Sequence, residues 1–392
     1  MITILADDFT GAAEVGAVAL RYGLSAQVQD RFEGDVATDL GERSKVGVLV
    51  LNTHSRSLPP REAAAVVTET AWPLRRQAKW VYKKIDSVLR GPVVAEAQAA
   101  LSALGLARAL LVPANPLLGR TIRDGQYFIG GVPLHQTGFA ADPEFPARTS
   151  DVLALLDCGK KGPVTLLGPG QALPARGIFV GRAASTADLA AWAAKVDATT
   201  LPVGGAEFLA AVLEAKGHTR VPRPAQPPLE NRRPMLLVCG SSPPHAAETV
   251  RQARAHGVAV LPMPAELLAE KAAEADGTTI RQRWADEVVE VLTRRGSAVV
   301  SIGEGADRGG CPQTMLDRLA DVVAAVLGRM RVGHVCMEGG ATAWTLVRRL
   351  GWRRFNVRRE LAPGVASLQV IGGGPAVTIK PGSYAWPEEI WS

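Results

Sequence analysis

Cysteine is scarce in this chain: four in 392 residues, Cys158, Cys239, Cys311 and Cys336, with no Cys-x-x-Cys pair among them. That excludes a disulfide framework, gives zinc no ligand spacing, and predicts reduced thiols. No apolar run approaches the roughly 18 to 20 residues that a membrane span requires. The start, Met-Ile-Thr-Ile-Leu-Ala, has no basic leader, so the reading is a cytoplasmic protein with no membrane partner. Like charges never run to five or six residues, and no basic stretch is interleaved with aromatics. Nucleic acid is therefore not an expected partner. The surplus of 44 basic over 38 acidic residues, +6 at pH 7, fits an anionic small molecule and, equally well, a solvated basic surface. Internal repeats and low-complexity tracts are also missing.

What is present is an ordinary globular composition, 47% apolar and 21% charged. Single cores stop growing at about 250 to 300 residues, so two domains are expected. The clearest break is a proline-dense stretch holding Pro222, Pro224, Pro227, Pro228 and Pro234, which stiffens a linker and stops either neighbour from extending through it. Residues 1–220 are read as one domain, 221–234 as the linker and 235–392 as the second. Before the break, strands at 2–6, 25–29, 46–51, 80–85 and 109–112 alternate with helices at 10–22, from Pro60 to about Trp72, and from Pro92 to Leu104. After it, strands at 235–239, 258–261, 298–302 and 334–337 alternate with helices at 244–256, 279–295, 314–328 and 341–350, and a hairpin closes around Gly372-Gly373-Gly374. This alternation predicts an α/β protein of two domains, each with a largely parallel sheet flanked by helices, and an active-site cleft between them.

In such sheets ligands sit beyond the carboxyl ends of the strands. The first strand runs straight into Asp7-Asp8-Phe9-Thr10-Gly11. Later strand ends carry Asn52 to Ser57, then Lys83, Lys84, Asp86, Ser87 and Arg90, then Asn115 and Arg120. Arg56, Lys84, Arg90 and Arg120 are candidates to clamp a carboxylate or phosphate. Asn115, Asn52 and the hydroxyls suit sugar hydroxyl groups, leaving Asp8 or Asp86 to accept a substrate proton. Each has a plainer role available: Asp8 as the cap of the helix behind it, Asp86 as a structural partner of Lys84, Arg90 as surface cover. His135 sits in a loop and is read as structural or as facing the same edge. In the second half, Gly240-Ser241-Ser242, the glycine-rich 303–310 and Glu338-Gly339-Gly340-Ala341-Thr342 all follow strands. Such junctions let backbone N–H groups approach phosphate oxygens. None has the spacing of a P-loop or a full dinucleotide fingerprint.

Ala6-Asp7-Asp8-Phe9-Thr10-Gly11-Ala12, Lys84-Ile85-Asp86-Ser87-Val88-Leu89-Arg90-Gly91, the segment 113–137 and Gly339-Gly340-Ala341-Thr342-Ala343 together resemble the four-carbon acid-sugar kinase family. The likeness covers nearly the whole chain in order. It implies an N-terminal domain for the sugar acid, a C-terminal domain for ATP with Mg²⁺, and transfer of the γ-phosphoryl group to a substrate hydroxyl. Carried over by residue, it implies catalytic roles for Asp8, Asp86 and Arg90, and sugar-acid contacts from Asp7, Ser55, Arg56, Lys84, Asn115 and Arg120. Nucleotide contacts would come from Ser241, Ser242, Gly339, Gly340, Ala341, Thr342 and Gly382; metal ligands stay unassigned. The family usually has Gly-Gly-Glu-Thr where this chain has Gly339-Gly340-Ala341-Thr342, and Lys-Ser-Gly where it has Lys380-Pro381-Gly382. Any role of that glutamate is absent here or passed to Glu338, and the branch is a divergent one.

The leading expectation is an ATP- and magnesium-dependent kinase for a short sugar acid such as threonate, erythronate or a 3-oxo-tetronate, or a related branched or longer acid, with closure about the linker excluding water. Its partners would be that small molecule and a nucleotide; a homo-oligomer is left open. A non-catalytic sensor of sugar acid and nucleotide is the alternative that Ala341 invites. An aspartate-nucleophile phosphatase ranks lower, because its two carboxylates would stand two residues apart and Asp7 and Asp8 are adjacent.

Overall fold

The computed structural model describes residues 1–30, 46–76, 78–142, 144–157, 162–222, 233–240, 245–268, 274–303, 311–382 and 384–391. The chain separates into two compact units, Met1–Pro222 and Arg223–Ser392. Most of the proline-dense stretch, residues 223–232, lies outside the described residues.

The first unit contains strands β1 (Ile2–Ala6), β2 (Ala26–Asp30), β3 (Val48–Asn52), β4 (Trp80–Lys84), β5 (Arg108–Val112), β6 (Arg120–Arg123), β7 (Gln126–Ile129), β8 (Val132–Pro133), β9 (Val164–Leu167), β10 (Gly177–Gly181) and β11 (Thr200–Gly204). Its helices are α1 (Phe9–Leu20), α2 (Pro60–Ala71), α3 (Val93–Leu104), α4 (Val152–Leu155), α5 (Thr186–Ala193) and α6 (Ala206–Ala215). The main sheet is parallel throughout, in the order β2-β3-β1-β4-β11-β5-β10-β9. Strands β1 and β3 are buried at every residue, as expected of parallel strands covered on both faces, which read as unbroken apolar runs. Full burial of Leu5, Leu49 and Leu51 contributes about 1.5–3 kcal/mol each. Helix α2 starts on Pro60, and α3 stops at Gly105 in the left-handed region, the usual asymmetry of helix ends. β6, β7 and β8 form a separate antiparallel sheet.

The second unit contains β12 (Met235–Cys239), β13 (Ala259–Pro262), β14 (Ser297–Ser301), β15 (His334–Glu338), β16 (Arg354–Ala362), β17 (Val365–Val370) and β18 (Ala376–Lys380). Its helices are α7 (His245–Ala255), α8 (Ala265–Leu268), α9 (Glu274–Arg295), α10 (Pro312–Arg329) and α11 (Gly340–Arg349). Strands β13-β14-β12-β15-β18 are parallel, and β17 and β16 extend the sheet antiparallel. The expected closing hairpin is β17–β18. The first limb, β16, was not among the sequence expectations.

Each sheet has a point where connections leave in opposite directions. In the first unit it lies between β1 and β4, which lead to β2 and β5 on opposite sides; in the second it lies between β12 and β15. Ligand sites in open α/β sheets form at such points.

Candidate functional site

Register sets three strand ends level in the first unit: Ala6 lies opposite Asn52 on one side and Lys84 on the other. Asp7, Asp8, Arg56 and Asp86 follow directly and share that edge. Both consecutive aspartates grip one guanidinium. Arg56 Nε and Nη2 donate to Asp7 at 2.8 and 3.0 Å, while Nη1 and Nη2 donate to Asp8 at 2.8 and 2.7 Å. Asp86 Oδ1 stands 3.9 Å from Arg56 Nη1 and accepts from Arg90 Nη2 at 2.8 Å. Arg90 also donates through Nε to Asp86 Oδ2 at 3.1 Å and through Nη1 to Asp142 at 3.0 Å. Lys84 Nζ lies 3.2 Å from Glu14 and donates to the Ile85 carbonyl at 3.1 Å. Arg56, Lys84 and Arg90 thus each carry a carboxylate partner supplied by the chain itself; the partner expected for Lys84, Asp86, pairs instead with Arg90, and Lys84 pairs with Glu14.

Asp8 caps α1: its Oδ1 accepts from Gly11 N at 2.8 Å, and Oδ2 accepts from the Thr10 hydroxyl. Gly11 is required there, because a Cβ would stand 2.5 Å from Asp8 Oδ1 and 3.0 Å from Lys84 Nζ. Burial would raise the Asp8 carboxyl, but Arg56 and Lys84 outweigh it and hold the group below its ordinary value. The same contest at Asp86, against Arg90 first and Arg56 next, holds it far below the carboxylate range. At Lys84 burial pulls the ammonium down, and Glu14, Asp7 and Asp8 together hold it above its ordinary value. All these groups are therefore charged at neutral pH. The turn after β4 is wound on Asp86, whose Oδ2 accepts from Val88 N and Arg90 N at 3.0 and 3.2 Å. It places Leu89, a bulky buried residue, at φ 67°, backbone strain of the kind stored at functional sites.

A second group lies on the β6–β8 arm. Asn115 and Arg120 exchange backbone hydrogen bonds at 2.8 and 2.9 Å. Arg120 Nη1 donates to Ser87 Oγ, and the guanidinium groups of Arg90 and Arg120 lie 5.7 and 5.9 Å from the Phe139 ring. Among the described residues Asn115 Oδ1 and Asn52 Nδ2 are buried without a hydrogen-bond partner. Ser55 is fully buried, bonded to Thr53 at 2.7 Å. His135 is exposed and tied through Nδ1 to Ser150 Oγ at 2.8 Å.

In the second unit Cys239, Glu338 and Lys380 stand level at the carboxyl ends of β12, β15 and β18. Lys380 Nζ lies 3.0 Å from Glu338 Oε2, which also accepts from Trp386 Nε1 at 2.9 Å and from the Thr249 hydroxyl. Burial holds Lys380 below its ordinary value despite that partner. Glu338 is fully enclosed, so it does not stand in for the family glutamate missing at exposed Ala341. Gly339 caps α11 at φ 90°, and its N–H donates to the Lys380 carbonyl at 2.9 Å. Gly340 opens that helix, Thr342 is buried in its first turn, and Gly382 is half-buried. A Cβ on Gly240 would collide with Thr342 Oγ1 and stand 2.6 Å from Leu316. Ser241, Ser242 and the 304–310 stretch lie outside the described residues. Among the described residues no three His, Cys, Asp or Glu side chains group as a metal site, and no helix is long and apolar enough to cross a membrane.

Two family models match the chain, a sugar-binding N-terminal domain over residues 2–212 and a nucleotide-binding C-terminal domain over residues 236–384. The D-threonate kinase of Salmonella typhimurium is 27% identical, over 92% of this chain and 89% of its own length. The D-threonate kinase of Cupriavidus necator is 29% identical, over 99% and 96%, and the 3-oxo-tetronate kinase of Actinobacillus succinogenes 25%, over 98% and 96%. Among solved structures, a Salmonella typhimurium LT2 protein described as a tRNA synthase superposes with a TM-score of 0.78 at 19% identity, covering 100% of this chain and 97% of that one. A Haemophilus influenzae protein gives 0.68 at 21%, covering 99% and 98%. At these identities the structural likeness speaks for the fold alone.

Proposed function

The chain belongs to the four-carbon acid-sugar kinase family and is a sugar-acid kinase, and from that premise we propose that it transfers the γ-phosphoryl group of ATP to a hydroxyl of a threonate-, erythronate- or 3-oxo-tetronate-like acid. The observation that carries the reading is the edge where Arg90 and Arg120 flank Phe139 beside the unpartnered Asn115 Oδ1. Two guanidinium groups suit a carboxylate, and a buried acceptor without a donor suits a sugar hydroxyl. Asp8 and Asp86, kept ionised by their arginines, orient the acceptor hydroxyl through its proton. Strong general bases are not needed, because phosphoryl transfer depends mainly on positioning and charge stabilisation.

Gly240, with no room for a side chain, and Gly339, at a positive φ on the helix start, suit the close approach of nucleotide phosphates. Magnesium ordinarily comes with those phosphates and few protein carboxylates, which agrees with the commitment of Asp7, Asp8 and Asp86 to arginines. Bound Mg²⁺ would neutralise charge on the transferring group. A coupled ATP-consumption assay over D-threonate, D-erythronate and 3-oxo-tetronates with Mg²⁺ tests the reading. Saturable turnover with at least one of them is expected; thermal stabilisation by sugar acid and nucleotide with no turnover would overturn it.

A further inference from the structure

Among the described residues two lysine–glutamate pairs are almost fully enclosed. Lys83 and Lys84 are consecutive in β4, so their side chains leave opposite faces of the sheet. Lys84 meets Glu14 of α1, and Lys83 Nζ stands 2.6 Å from Glu96 Oε2 of α3. The second pair, Lys380 and Glu338, lies at the carboxyl edge of the other sheet with side-chain exposures of 1% and 0%. Replacing such a pair by apolar residues of similar volume is often neutral or stabilising. Stability alone therefore does not account for a lysine buried beside the candidate nucleotide edge.

An ammonium has three N–H groups, and at Lys380 the chain takes all of them. Nζ lies 3.0 Å from Glu338 Oε2 and donates to the Pro381 and Gly382 carbonyls at 3.4 Å each. The Trp386 ring covers it at 5.3 Å. Glu338 is fixed in turn by donors from three other elements: Cys239 Sγ of β12 at 3.5 Å, the Thr249 hydroxyl of α7, and Trp386 Nε1 of the C-terminal segment at 2.9 Å. An ammonium so enclosed has no N–H left to offer a phosphate. What it does reach is the turn after β18, which bears Gly382. The Pro381 carbonyl in that turn also accepts from Tyr384 N at 3.2 Å, and the Lys380 carbonyl accepts from Gly339 N at 2.9 Å, where α11 begins. The pair thus joins two backbone turns, one after β15 and one after β18, which on the kinase reading receive the nucleotide.

We propose that Lys380, charge-balanced by Glu338, is a positioning residue that holds the Gly382 turn against the start of α11 and does not itself bind phosphate. The effect on nucleotide affinity rests on the kinase reading above; the placement of the turn does not.

K380M and K380M/E338Q, made in the full chain, separate this role from bulk stability. K380M leaves Glu338 buried without its cation and should melt below wild type. K380M/E338Q removes that charge as well, so its melting temperature should recover most of the loss. Neither variant supplies the Gly382 carbonyl with the lost ammonium. The Kd for Mg-ADP and the KM for Mg-ATP are therefore expected to rise about tenfold in both, with KM for D-threonate unchanged. A crystal structure of the ligand-free double variant should show residues 381–382 displaced from their wild-type position. Affinity for Mg-ADP that returns together with the melting temperature, or a turn that has not moved, overturns the proposal. Should the double variant not fold, the complex of the wild-type chain with Mg-ADP decides: Nζ still on Glu338 and both carbonyls supports the proposal, and Nζ within hydrogen-bond distance of a phosphate oxygen overturns it. A wild-type chain that binds no nucleotide refutes the kinase reading alone, since the ligand-free crystals still decide what holds the turn.

Discussion

At the carboxyl edge of the first unit Arg56, Arg90, Lys83 and Lys84 are set against Asp7, Asp8, Asp86, Asp142, Glu14 and Glu96. At the corresponding edge of the second, a single buried pair among the described residues, Lys380 and Glu338, sits beneath glycine backbone. The difference follows what each edge would have to recognise. A small acid is told from its isomers by where its carboxylate and hydroxyls fall, which demands side chains fixed in direction by charge pairing. Phosphate oxygens are satisfied by backbone N–H groups that any sequence supplies once side chains are out of the way.

The comparison can be broken most severely at Arg56. R56A leaves Asp7 and Asp8 buried without their cation and is expected to cost about 3–5 kcal/mol in urea unfolding, with turnover falling by about a thousandfold. R56K should not rescue it, since an ammonium cannot grip two carboxylates in a plane. K380M in the second unit is the matched case. Trp386 and Thr249 still bond Glu338, so the expected loss is smaller, about 2 kcal/mol. Equal losses in the two variants would erase the distinction drawn between the edges.

G240A tests the backbone side directly. Its methyl group would press on Thr342 and Leu316, so KM for ATP should rise about tenfold while KM for the sugar acid stays constant. A shift in the sugar-acid KM instead would contradict the division of labour. The smallest effect expected is in pH dependence. Asp8 and Asp86 are held below 3.8, so their stabilisation is complete above that pH and is lost as pH falls beneath it. Lys380 is held below 10.5; its penalty is full at neutral pH and is relieved as pH rises through the lowered value toward 10.5. Melting curves of wild type and K380M from pH 8 to 10.5 should therefore move further apart, by about a few degrees, in favour of wild type. A constant gap between them would show that Lys380 does not titrate differently on folding.

Much of this arrangement was legible in the sequence because parallel strands announce themselves. Runs such as Val48 to Leu51 and Leu236 to Val238, punctuated by Pro60 and Gly105, fix elements to within two residues or so. The β6–β8 arm and β16 were not read, since strands this short or this exposed have no strong period, and β9, β10 and β11 with the helices α4, α5 and α6 were not read either, although β11 is buried at every residue. Asp8 was weighed as cap or as reacting group; it does cap α1, and the proposed role at the acceptor hydroxyl falls to the same carboxylate. The larger omission was Glu14 and Glu96. Both sit inside alanine- and valine-rich helices, and Glu96 lies on the stripe Val93, Ala97, Ala100 that faces the core. A carboxylate on an apolar stripe demands a buried cation, and the doublet Lys83-Lys84 was the visible supply.

That doublet has one more consequence. A central parallel strand with apolar residues on both faces is nearly self-similar when shifted by one residue, because every side chain merely exchanges sides. In β4 the shift would bring one lysine into the slot of the other and keep one glutamate paired, but it would leave the second glutamate without its cation and carry the remaining ammonium away from both partners. The doublet thus gives the strand between β1 and β11 one alignment in which both glutamates are paired, where apolar residues alone would distinguish it little from a one-residue slip.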